Sequence, residues 1–131
     1  MKLTREQAIK EHRKMWNWLA EHPDMDKSDY LALNSLKRLT NECFLCHYSR
    51  QNNGEHCGEN CIIDWGDTGG CMGSTFNLGL YKVYNELTSL LRDINKNSEW
   101  SKDITKGLRL MISHTARAIA DLQERKENET D

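Results

Sequence analysis

The chain has 131 residues, of which 37% are hydrophobic and 29% are charged, and its formal net charge is −2. This length fits a single domain over residues 1–131 that buries a core without disulfide staples, and the near-neutral charge excludes a strongly basic nucleic-acid binder. With a mean hydropathy of −0.80, no apolar run of membrane-spanning length and no secretory signal core at its start, the chain is expected in a reducing cytosol.

The N-terminal part, residues 4–40, predicts two helices. The first covers residues 4–22, because Thr4 and Gln7 have capping-box spacing, apolar residues follow at helical intervals, and Pro23 ends the pattern. His12 lies on the apolar side of this helix and is expected to be a core histidine rather than a metal ligand. The second helix is predicted over residues 28–40, with Ser28 as N-cap and with Tyr30 and Leu33 directed inward.

A C-terminal helical pair is predicted over residues 75–126, with helices at 75–95 and 99–126 and a frayed tail at 127–131. The last helix carries one long apolar stripe: Ile104, Leu108, Met111, Ile112, Thr115, Ala118, Ile119 and Leu122. This stripe is longer than one protomer needs, so a homodimer is an open expectation.

Residues 41–74, between the two helical halves, are rich in Gly, Asn and Asp and contain all five cysteines. A structureless segment of this length is unusual in a compact domain unless something else holds it. The pairs Cys43-x2-Cys46 and Cys57-x3-Cys61 have the short spacing that tetrahedral thiolate zinc sites require. The sequence therefore predicts a structural Zn²⁺ held by these four cysteines, with buried thiols or a redox pair as the alternatives.

The choice of ligands and the chemistry of this segment leave alternatives open. Cys71 is a candidate to replace Cys57, and His47 and His56 adjoin the predicted ligands, although we expect both to be exposed loop residues. Four thiolates would leave no open position on the metal, which favours a structural role over catalysis. Cys57-x-Glu59 has the form of the Cys-x-Glu of zinc deaminases, but their motif order is reversed here. Since no other catalytic motif is present, the prediction is that the protein is not an enzyme.

Two features are candidate binding surfaces. One face of the last helix, nearly opposite the apolar stripe, carries four basic residues: Lys102, Lys106, Arg109 and Arg117. This basic face is either a solvated surface or a contact for phosphate or an acidic partner. Trp18 lies outside the apolar arc of the first helix, and Trp65 follows the cysteine pairs. Each tryptophan is either an exposed anchor for a partner or a cover for neighbouring structure.

A distinctive order of residues runs through the first two thirds of the chain: Met15-Trp16-x-Trp18, Cys43-x2-Cys46, Cys61 followed by two apolar residues and Asp64-Trp65, and then Cys71. This order resembles small uncharacterised cysteine-rich proteins encoded by phages and prophages of Gram-positive bacteria. The family has Cys-x-x-Cys-Pro where this chain has Cys57-x3-Cys61-Ile62, so the resemblance assigns no role to Cys57. The family has no assigned activity, so the resemblance implies a phage origin, and with it a place in the host cell cytosol. By analogy with other small phage proteins, the expected partner is a host protein, including a defence protein.

Together these observations predict an all-α fold: a small helical bundle of about four helices with a four-cysteine zinc-binding loop, residues 41–74, inserted between helices two and three. The predicted function is that of a non-enzymatic, zinc-stabilised helical binding module that binds or inhibits a host protein. The alternative is a nucleic-acid- or nucleotide-binding module that uses the zinc loop and the basic face of the last helix.

Overall fold

The structure, a computed structural model, describes residues 3–34, 44–45, 48, 62–65, 79–96 and 102–124. Within these ranges lie four named helices: α1 (Arg5–Glu21), α2 (Lys27–Leu33), α3 (Leu80–Lys96) and α4 (Lys102–Ala120). The described residues form no strand, and their one β-type pairing is an isolated antiparallel bridge between Ile63 and Glu124. The predicted all-α class is therefore confirmed for the part of the chain that is described.

The start of α1 follows directly from its sequence. The Thr4 hydroxyl accepts a hydrogen bond from the Gln7 backbone N–H at 3.1 Å, and the Gln7 side chain accepts one from the Thr4 N–H at 2.9 Å. These two bonds form the predicted capping box and satisfy backbone donors that a helix N-terminus leaves without partners. The helix ends at Glu21, with His22 as its C-cap, one residue before Pro23.

The second helix begins earlier and ends sooner than predicted. Its N-cap is Asp26, whose carboxylate accepts from the Asp29 N–H at 3.0 Å, while Asp29 accepts from the Asp26 N–H at 2.9 Å. The prediction of Ser28 as N-cap is therefore wrong, because this reciprocal pair places Ser28 inside the helix. Tyr30 is buried as predicted, but Leu33 is 68% exposed at the helix end. Residues 35–40 of the predicted helix lie outside the described residues.

The C-terminal helices form the predicted pair, with different ends. The described part of α3 begins at Leu80, and α4 ends at Ala120 rather than at residue 126. Beyond α4, the Gln123 carbonyl accepts a hydrogen bond from the Asp64 N–H at 2.9 Å. Glu124 then pairs with Ile63 in the isolated bridge. The helix stops because the backbone of Gln123 and Glu124 pairs with a segment that is distant in sequence. Helical periodicity in the sequence gives no sign of this contact.

The core lies where α4 packs along both α1 and α3, while α2 packs on α1. Met15 and Leu19 from α1 meet Ile112 and Ile119 from α4 in this core, and all four are almost fully buried. Part of the predicted apolar stripe of α4 does not reach it. Leu108 is buried like Ile112 and Ile119, whereas three other members of the stripe are exposed: Ile104, Met111 and Ala118.

Candidate metal centre and binding surfaces

Apolar residues next to the predicted zinc ligands are buried in the helical core. Phe44 and Leu45, the two residues between Cys43 and Cys46, are each 1% exposed, and Ile63, two residues after Cys61, is fully buried. The cysteines themselves lie outside the described residues, namely Cys43, Cys46, Cys57, Cys61 and the alternative Cys71, and so do His47, His56 and Glu59. Described residues beside both cysteine pairs are therefore anchored in the core of the helical bundle.

Trp65 is, after Ile63, the second buried residue that follows Cys61, and it contacts a buried histidine. Its ring meets the His12 ring edge-on, with 6.2 Å between centroids and an interplanar angle of 86°. The His12 Nε2 lies 3.4 Å from the Ile119 carbonyl oxygen, which can only accept, so the imidazole carries its proton on Nε2. His12 is thus a core histidine, as predicted, and it connects α1, α4 and the segment that follows Cys61.

The environment of His12 keeps it uncharged. Burial lowers the pKa of His12 from 6.5 to about 4, because removing the imidazolium from water is unfavourable. The hydrogen bond to the Ile119 carbonyl opposes this shift, and the positive charge of neighbouring Arg13 adds to it. At neutral pH the side chain is therefore a neutral hydrogen-bond donor packed among aromatic rings.

The segment after Cys61 pairs with the segment after α4, and side chains of α1 contact the latter segment. In addition to the Ile63–Glu124 bridge, the Arg13 guanidinium donates to the Leu122 carbonyl at 3.2 Å. Arg5 approaches the Glu124 carboxylate at 3.7 Å, a partly exposed contact that contributes little energy. These contacts hold both segments against α1.

Trp16, whose ring also contacts His12, belongs to an aromatic cluster that includes a buried lysine. The rings of Tyr84 and Tyr81 meet Trp16 edge-on, at 4.8 and 5.9 Å between centroids. The Lys27 ammonium donates to the Tyr81 hydroxyl and lies 4.0 Å from the centroid of the same ring. Sequence reasoning missed the burial of Lys27, because a lysine in the first turn of a helix carries no signal of it. The cluster joins α1, α2 and α3.

Two tyrosine hydroxyls are buried. Those of Tyr30 and Tyr84 find no hydrogen-bond partner among the described residues. Burial raises the pKa of Tyr84 far above its usual range, with the negative charge of Asp26 as a smaller cause. Burial also raises the pKa of Tyr30, with the negative charge of Glu11 as a smaller cause. Both phenols therefore stay protonated and act as packing groups.

Trp18 lies at the connection between α1 and α2. Its ring stacks on His22, with 4.2 Å between centroids and a 20° angle, and it also contacts Tyr30 at 5.5 Å. The His22 Nδ1 lies 2.8 Å from the Trp18 carbonyl oxygen, which fixes the stacked pair. Trp18 remains only partly buried, whereas Trp65 is buried, so Trp18 is the more accessible of the two predicted binding tryptophans.

The predicted basic face lies on the outer side of α4 and is interrupted. Lys102, Lys106 and Arg117 are exposed. The Arg109 Nε donates to both carboxylate oxygens of Asp24, at 2.9 and 3.1 Å, and so links α4 to the turn between α1 and α2. This pairing compensates the charge of Arg109 and leaves three exposed basic positions on a narrower surface than the sequence predicts.

The described residues contain no group of three or more His, Cys, Asp or Glu side chains that could hold a metal ion. None of the described helices combines the length and the apolar character needed to cross a membrane. The comparisons with known proteins found no matching family model, no similar curated protein and no similar solved structure.

Proposed function

We propose that the protein is a non-enzymatic helical binding module whose cysteine-rich segment is fastened by one structural Zn²⁺. The observation that carries this proposal is the burial of apolar residues beside both cysteine pairs. Phe44 and Leu45 lie in the core on one side, and Ile63 and Trp65 lie there on the other. Residues 46–61, which join these two pairs of buried side chains, are mostly polar, and Tyr48 among them packs half-buried against the core.

Free-energy contributions favour a metal in this segment. Ordering the backbone of residues 46–61 costs about 1–2 kcal/mol per residue, and burial of the four apolar side chains, at about 1.5–3 kcal/mol each, offsets only part of that cost. Binding of zinc by thiolates supplies on the order of 10 kcal/mol or more. A metal is therefore the proposed source of the remaining stabilisation.

The ligand set proposed for the metal is Cys43, Cys46, Cys57 and Cys61, in a reducing host cytosol where thiols remain available. Four thiolates complete the tetrahedral coordination sphere, so neither water nor substrate can bind the ion. This set supports a structural role for the zinc and a non-enzymatic role for the protein.

The proposed partner is a host protein, and the protein is proposed to be phage-encoded. The resemblance in the cysteine and tryptophan pattern supports the origin, and the position of Trp18 supports a protein contact. A partly exposed tryptophan held rigidly by a stacked neighbour loses little conformational entropy on binding, and tryptophan is enriched among residues that dominate interface energies. The region around the α1–α2 connection is thus the proposed contact surface.

Nucleic-acid binding is the second candidate, because Lys102, Lys106 and Arg117 are exposed on one side of α4. Two observations weigh against it: Asp24 compensates Arg109, and the chain has a net charge of −2. If this candidate is correct, affinity for DNA or RNA falls steeply with salt and falls again when Lys102 and Lys106 are both changed to Glu.

Single cysteine variants test the metal proposal. Purified wild-type protein is expected to contain one zinc per chain. Four single variants are each expected to lower that content: Cys43→Ser, Cys46→Ser, Cys57→Ser and Cys61→Ser. Cys71→Ser is the matched control and keeps the metal. If Cys57→Ser keeps the metal and Cys71→Ser loses it, Cys71 is the fourth ligand. Full zinc content in every single variant would refute the site.

The binding proposal is tested with one identified partner at a time. Host proteins captured on immobilised wild-type chain are purified and their dissociation constants measured by titration. Trp18→Ala is expected to weaken binding at least about tenfold, as for a dominant interface residue. Leu33→Ala, which removes an exposed apolar side chain at the end of α2, is the matched control. A captured protein whose affinity is the same for wild type and Trp18→Ala does not use the proposed surface.

A further inference from the structure

The outer side of α4 carries two parallel rows of residues at seven-residue spacing. The first row contains Ile104, Met111 and Ala118, and the second row contains Asp103, Leu110 and Arg117. All six residues are exposed, and Leu110 and Met111 are each 54% exposed although both are large and apolar. Repetition every seven residues keeps one narrow side of a helix facing a partner helix along its whole length.

We propose that this side of α4 binds a second copy of the chain, with the two α4 helices packed antiparallel about a two-fold axis at Leu110. In that arrangement Leu110 contacts Leu110 of the partner subunit. Asp103 then lies opposite the partner's Arg117, and Arg117 lies opposite the partner's Asp103. Self-complementarity of this kind is what a two-fold interface between identical chains requires.

The order of charges selects the antiparallel arrangement. Along the helix, the second row has the acidic Asp103, then Leu110, then the basic Arg117. When a second copy runs in the opposite direction, each acidic residue lies opposite a basic one. A parallel two-fold pair would instead place each charge level with the same charge on the other chain. Like charges brought together across an interface are unfavourable, so the row disfavours the parallel pair.

The expected dimer is weak. With 19 residues, α4 is about 28 Å long, and one pair of such helices buries less than the roughly 800 Å² per partner of a standard stable interface. We therefore expect a dissociation constant in the micromolar range or above. The interface involves neither the cysteines nor Trp18, so it can hold or fail independently of the proposed function.

Charge exchange in the full-length chain tests the proposal by sedimentation equilibrium over a wide concentration range. Asp103→Arg alone and Arg117→Asp alone each create two like-charge pairs in a homodimer, and each is expected to weaken the dimer at least tenfold. An equimolar mixture of these two variants pairs opposite charges at both ends and is expected to form a heterodimer about as stable as the wild-type dimer. The double variant D103R/R117D is expected to recover the homodimer in the same way.

Two further variants guard against indirect effects. Lys14→Glu reverses an exposed charge on α1, away from the two rows, and is expected to leave the dissociation constant unchanged. Leu110→Glu is expected to give a folded monomer, with helical content checked by circular dichroism, because the side chain is exposed in one protomer. A wild-type chain that remains monomeric up to about 1 mM overturns the proposal. So does a dimer that the single charge variants do not weaken, or a mixture that does not associate.

Discussion

His12 should make the stability of the protein fall in mild acid. The side chain is buried against Trp65 and Trp16 with its Nε2 near the Ile119 carbonyl, and its pKa is lowered from 6.5 to about 4. In the unfolded chain the imidazole takes up a proton near pH 6.5, but in the folded protein it does so only near pH 4. Between these values the unfolded state binds more protons, so the free energy of unfolding decreases as the pH falls.

The magnitude follows from the two pKa values. Each pKa unit corresponds to about 1.36 kcal/mol, so a decrease from 6.5 to about 4 is worth about 3 kcal/mol in full below pH 4. At pH 5 the proton is bound to most unfolded chains and to few folded ones, and the loss relative to pH 7 is about 2 kcal/mol. For a domain of this size that is a substantial fraction of a typical total of about 5–15 kcal/mol.

Urea denaturation at pH 7 and pH 5 provides the measurement, on wild type and on His12→Gln. The amide of glutamine can donate a hydrogen bond but does not titrate, so the variant should lack the part of the acid loss that belongs to His12. For each protein, the change in the free energy of unfolding between pH 7 and pH 5 is calculated. The difference between the wild-type change and the variant's change excludes both the direct cost of the substitution and the contribution of carboxylates. We expect wild type to lose about 2 kcal/mol more than the variant between pH 7 and pH 5.

His114→Gln, at an exposed position on α4, is the matched control and is expected to keep the acid-dependent loss. Titration of the His12 ring by NMR gives an independent value, expected near pH 4. If His12→Gln loses as much stability as wild type between pH 7 and pH 5, the argument that links burial of His12 to acid sensitivity is wrong.

Three further substitutions test the packing and capping, each by the free energy of unfolding at pH 7. Tyr84→Phe removes a buried hydroxyl without a described partner and is expected to stabilise the protein by up to about 1 kcal/mol, whereas clear destabilisation would reveal a missed hydrogen bond. Ile63→Ala is expected to cost about 2–5 kcal/mol because it leaves a cavity in the core; the exposed control Leu33→Ala should change stability by less than about 0.5 kcal/mol, and equal effects would contradict the anchor. Thr4→Ala removes the capping box and should cost about 1 kcal/mol, and no loss would mean that the cap contributes nothing.

Local features of the helices could be predicted from sequence where a single pattern dominates. The Thr4 capping box and the end of α1 near Pro23 depend only on neighbouring residues. The same kind of reasoning fails at α2, where it favours Ser28 as N-cap although Asp26 and Asp29 supply a reciprocal pair three residues apart. A carboxylate accepts a backbone hydrogen bond as well as a hydroxyl does, so the spacing of the pair is the better signal.

Features that depend on distant contacts could not be predicted. The end of α4 at Ala120 follows from the pairing of Glu124 with Ile63, which lie 61 positions apart in the chain. The burial of Lys27 depends on Tyr81 in another helix, and the pairing of Arg109 depends on Asp24 in a turn. Periodicity identifies the apolar side of a helix but not how much of that side a single chain covers.

The proposed metal site depends both on a local sequence pattern and on contacts between residues that are distant in sequence. The spacing of the cysteine pairs predicts zinc from the sequence alone, because ligand convergence is a local requirement. Burial of Phe44 and Leu45 beside one pair, and of Ile63 and Trp65 beyond the other, is not visible in the sequence, where these residues appear as isolated apolar positions in a polar segment.

The central claim is that one metal ion fastens this segment to the helical core. Its most direct test is the thermal unfolding of a single preparation of the full chain, measured before and after exhaustive chelation, with zinc content determined on both samples. We expect one zinc per chain at the start, a large fall in melting temperature when the metal is removed, and recovery when zinc is restored. A preparation without stoichiometric metal, whose melting temperature is the same before and after chelation, would contradict the claim.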